Sequence, residues 1–73
     1  MTIELNIEEK ITVVEQHLKN IAYTEYNILI SIEEAKAVAI IDQVAIDSLT
    51  IQLNDVRSKK AALETELANL KQA

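Results

Sequence analysis

Residues 7–32 read IEEKITVVEQHLKNIAYTEYNILISI. Ile7, Ile11, Val14, Leu18, Ile21, Ile28 and Ile32 recur in alternating steps of four and three, and only Glu25 interrupts them. That spacing places all seven aliphatic side chains on one stripe of an α-helix. With Ile7 at d and Ile11 at a, the same phase runs on through Ala35, Ala39, Asp42, Ile46, Leu49, Leu53, Val56, Lys60, Leu63 and Leu67 to Leu70. Sixteen of these 19 seam positions are apolar, against 16 of the 45 others between residues 7 and 70, so the pattern belongs to the heptad and not to a uniformly greasy chain.

Composition agrees with the pattern. Gly and Pro are both absent, and tight turns and bulges lean on those two residues, so long uninterrupted helices are favoured. The sequence predicts an all-α chain: a long amphipathic helix, or helices sharing one seam, in a coiled coil or helical bundle. Residues 1–5 alternate polar with apolar and are expected to form a short extended arm. Asn6 followed by Glu9 has the capping-box spacing and starts the helical region, expected over 6–72.

Two places admit a break. Ser31 with Glu34 repeats the capping spacing, which points to 27–31, and Asp47 with Ser48 points to 47–50. Glu33 and Glu34, like Glu8 and Glu9, suit a helix N-terminus, where negative charge is favoured. TIQLN at 50–54 echoes TIELN at 2–6, and a strand there is the lesser reading, because β-branched residues also sit well on heptad seams.

Seventy-three residues bury little apolar surface, and a domain this small usually needs a staple. With no Cys and one His, disulfides and zinc clusters drop out, which leaves oligomerisation. Ile at both a and d along 7–32 shifts the preference from two strands toward three or more. Ala22, Leu29, Val38 and Ala45 at e and g widen the face that must be covered. Ile30, Ile40, Ile41, Val44 and Ile51 fall outside the seam and also need cover. The apolar run around Ile40, Ile41 and Val44 is too short, and too interrupted by Asp42, to span a bilayer. Its cover is expected to be protein: a third or fourth helix, a folded-back segment, or a partner.

Orientation is less decided. In-register parallel strands would bring Lys10 to Glu15, Lys59 to Glu64 and Glu66 to Lys71, and this favours a parallel arrangement. The charge asymmetry points the other way: residues 1–47 hold nine acids and three bases, residues 48–73 three and four, which suits a hairpin whose halves run antiparallel. Such a hairpin could dimerise into a four-helix bundle.

The polar seam residues Glu25, Asp42 and Lys60 are candidates for setting register, since a buried charge tolerates only alignments that satisfy it. The alternative is that the helix breaks or splays there and lets each reach water. His17 at a g position reads as an exposed flank, and Glu15 two residues away does not face it. Tyr23 and Tyr26, one turn apart on the outer face, read as packed flanks or as interface anchors.

No Gly-rich phosphate loop exists, and no nucleophile has a base at workable spacing, so neither enzyme activity nor a cofactor is expected. A net charge of −5 with almost no aromatics disfavours direct nucleic-acid binding. No signal-like opening is seen, so the chain is read as unprocessed, with the cytoplasm the favoured compartment. The functional expectation is a helical oligomerisation and interaction module, a structural part or an assembly factor. A second expectation belongs to another class: a small acidic inhibitor whose negative half occupies the basic groove of a nucleic-acid enzyme.

Overall fold

The computed structural model describes residues 3–73. Two α-helices of 30 residues each, α1 (Ile7–Lys36) and α2 (Gln43–Gln72), are joined by residues 37–42 and pack against each other as a helical hairpin. A single straight helix over 6–72 would extend about 100 Å at 1.5 Å per residue. The molecule measures 58 × 20 × 17 Å, because the chain folds back. Ile32 packs near Leu49 and Leu53, while Glu25, further from the turn, meets Arg57 and Lys60; the two helices therefore run antiparallel.

The start of α1 follows from Asn6. Its backbone N–H donates to Glu9 Oε1 at 3.1 Å, and Glu9 N–H donates to Asn6 Oδ1 at 2.8 Å, so two otherwise unpaired donors satisfy each other's residue. Glu8 and Glu9 in the first turn and Lys36 in the last complement the helix dipole. Residues 3–5 are non-helical, and the rest of the expected extended arm, residues 1 and 2, lies outside the described residues.

The break falls at 37–42 and at neither expected place. Residues 27–31 lie inside α1, where Ser31 Oγ donates back to the Asn27 carbonyl at 3.0 Å instead of capping a new helix. Residues 47–50 lie inside α2, where Asp47 accepts from Gln43 Nε2 at 2.9 Å, one turn earlier. TIQLN at 50–54 is helical. The turn itself is built by Asp42, whose Oδ1 accepts from Val44 N–H at 3.1 Å and Ala45 N–H at 3.3 Å and so caps α2. Before it stand Val38, Ile40 and Ile41, β-branched residues that propagate a helix less readily. No described residue has positive φ, so the connection needs no Gly.

Between the helices lies a thin core. Ile28, Ile32 and Leu53 form a buried cluster with Leu29, Leu49 and Val56 packed on it, and Ile46 is buried nearer the turn. Each full burial contributes roughly 1.5–3 kcal/mol. Ile11, Val14, Leu18, Ile21, Leu63, Leu67 and Leu70 are only half-buried, and Ile7 is exposed. A pair of helices covers each seam from one side alone, which is why so few residues leave the water completely.

Candidate functional interface

Of the seam residues predicted from the heptad, Ile28, Ile32, Leu49, Leu53 and Val56 pack together between α1 and α2 of one chain, Ile46 is buried nearer the turn, Ile11, Val14, Leu18, Ile21, Leu63, Leu67 and Leu70 are half-buried, and Ile7 is exposed. The middle of the seam is therefore packed within one chain. What remains for other molecules is the outside of the hairpin.

The three polar seam residues take two different roles. Glu25 sits between Arg57 and Lys60, with Arg57 Nε 3.0 Å from Glu25 Oε2 and Lys60 Nζ 3.4 Å from Oε1. Hydrogen bonding from Arg57 holds the Glu25 carboxyl below its ordinary value; partial burial opposes this and the Lys60 charge reinforces it. Asp42 leaves the seam and caps α2 in contact with water, so for this residue the splayed alternative is the one observed. Among the described residues these are the ion pairs.

Apolar surface is exposed in two regions. At the turn end Val38, Ile40, Ile41 and Val44 face solvent, with Ile40 89% and Val44 78% exposed. Along α1, Tyr23 and Tyr26 are each 64% exposed, and Ile30 follows one turn on. Lys19, Ala22, Tyr23 and Tyr26 enclose an open depression of about 310 Å³. The opposite flank, carrying His17, Asn20, Thr24, Asn27 and Ser31, is polar. Sequence reasoning singled out the two tyrosines and the turn residues; it did not find the depression, although the spacing of its four walls was there to be read.

Glu33 and Glu34 fall in the last turn of α1 and not in a first turn as expected. There the helix dipole disfavours negative charge. Among the described residues no group of three or more His, Cys, Asp or Glu side chains could hold a metal ion, and no helix is long and apolar enough to cross a membrane. No protein-family model, curated protein or solved structure matches this chain.

Proposed function

We propose that this chain is a non-enzymatic helical-hairpin interaction module that works by associating with further helices, its own copies or a partner's, as a structural part or an assembly factor. The observation that carries the reading is the imbalance between inside and outside. Among the described residues four hydrophobic side chains are buried, whereas Ile40, Val44, Ile51, Tyr23 and Tyr26 are each more than half exposed. Scattered exposed aliphatics are ordinary, but clustered ones on a chain with so small a core mark a surface that is covered in use. Covering Ile40, Ile41 and Val44 would seal the turn end of the hairpin core beside Ile46.

Association that stabilises the fold makes thermal unfolding depend on protein concentration. Melting followed by circular dichroism over a hundredfold dilution series is expected to show the midpoint falling as the protein is diluted. A midpoint independent of concentration would contradict self-association.

A second reading has one specific feature behind it: Glu33, Glu34, Asp42 and Asp47 gather at the turn end with Lys36 as the only base there. In that reading the acidic tip of the hairpin competes with nucleic acid for a basic groove. Partner affinity that falls steeply with salt would favour it over apolar association.

A further inference from the structure

Lys19, Ala22, Tyr23 and Tyr26 stand at i, i+3, i+4 and i+7, which is the set of four residues that forms the hole receiving a knob from a neighbouring helix. Here the hole is real, about 310 Å³, apolar-floored and open to solvent on the outer face of α1. Resting on the association reading above, we propose that the occupant is a second copy of this chain. In this arrangement α1 packs antiparallel on the partner's α1 about a two-fold axis at Tyr26, each copy inserting Ile30 into the other's hole.

The pattern about Tyr26 is self-complementary. A two-fold interface brings residues equally distant from its axis together. Four residues to either side of Tyr26 stand Ala22 and Ile30, a small residue opposite a large one. Seven residues to either side stand Lys19 and Glu33, so each copy's cation meets the other's carboxylate at both ends of the contact. Among the described residues neither Lys19 nor Glu33 joins an ion pair, and Glu33 sits at the end of α1 where the helix dipole favours a cation. A parallel in-register pair would instead set Lys19 against Lys19 and Glu33 against Glu33, and would leave the holes unfilled.

The elongated hairpin has surface enough for such a contact. A compact monomer of this mass exposes roughly 4,500 Å². The hairpin exposes 5756 Å². The excess covers what a standard interface removes from each partner, about 800 Å². Antiparallel contact over 16–36 runs along about 30 Å of α1 and leaves the turn residues free for other cover.

The test uses the full chain and native mass spectrometry. Lys19→Glu alone and Glu33→Lys alone each place like charges at both ends of the contact, and each should weaken homodimerisation about tenfold or more. Mixed together, the two variants should form the heterodimer in preference to either homodimer, because both end contacts become attractive. Both substitutions are exposed, so helicity by circular dichroism should be unchanged. Orientation is read separately by oxidation: Ala22→Cys mixed with Ile30→Cys should give a disulfide-linked heterodimer, and Ala22→Cys alone should not link. Oligomers indifferent to both charge reversals, or linkage of Ala22→Cys to itself, would overturn this face while leaving association intact. A wild-type chain that stays monomeric would overturn association itself.

Discussion

Glu25 occupies a position where the heptad calls for an aliphatic side chain, and it is tolerated because Arg57 and Lys60 reach it from the opposite helix. Its folded-state carboxyl lies below the ordinary value of 4.5. The stabilisation from this contact is therefore present above that value and is lost as pH falls through the lower, folded one. Acid titration of Glu25→Gln is expected to show a shallower loss of stability across that window than the wild type; identical acid limbs would deny the contact any role. Arg57 and Lys60 stand three residues apart, so one turn of α2 presents both cations to the same carboxylate. Asp42 illustrates the other use of a polar seam residue. Removing its side chain in Asp42→Ala takes the partner from two backbone donors, and chemical denaturation should show a loss of about 1 kcal/mol.

At the scale of elements, the two helices and their facing stripes could be read from residue spacing, and so could the capping box at Asn6 and Glu9. The turn could not. Chain reversals are ordinarily announced by Gly or Pro, and this one passes from Ala37 to Asp42 without a left-handed residue. The heptad phase also survives the turn: Ala35 ends one stripe and Ile46 opens the next with no slip in count, so nothing in the period reports that the direction has reversed. The signal that was present was Asp42 on the seam, which a continuous buried helix would have to satisfy and a helix start satisfies at once. Ser31 misled because a hydroxyl that returns to the carbonyl four residues back resembles, in sequence, one that caps. Leu53 is the best-buried residue of α2 and faces Ile28 and Ile32. Leu53→Ala should cost about 2–5 kcal/mol by denaturant melt, whereas Leu70→Ala at the half-buried open end should cost visibly less. Equal losses would mean that the core is spread evenly along the hairpin.

For the whole molecule, one contact between two helices gives a rod 58 Å long with water on most of its sides. Fold class follows from the stripe alone, since any helix carrying it must set it against another. How many chains share the arrangement does not follow from the stripe, because a seam satisfied within the hairpin and one satisfied between chains have the same period. The proposal of a second molecule rests on the exposed tyrosines of α1 and the exposed isoleucines of the turn. Substituting Ile40→Ser together with Val44→Ser should leave helicity unchanged and reduce binding of an apolar dye to the turn end. Loss of helicity would show instead that those residues hold the hairpin closed.

Sedimentation equilibrium of the wild-type chain at several loading concentrations tests association most directly. A mass rising from that of one 8.2 kDa chain toward that of two as concentration increases is the expected result. A mass that remains at one chain throughout, with the helices fully formed, would contradict it.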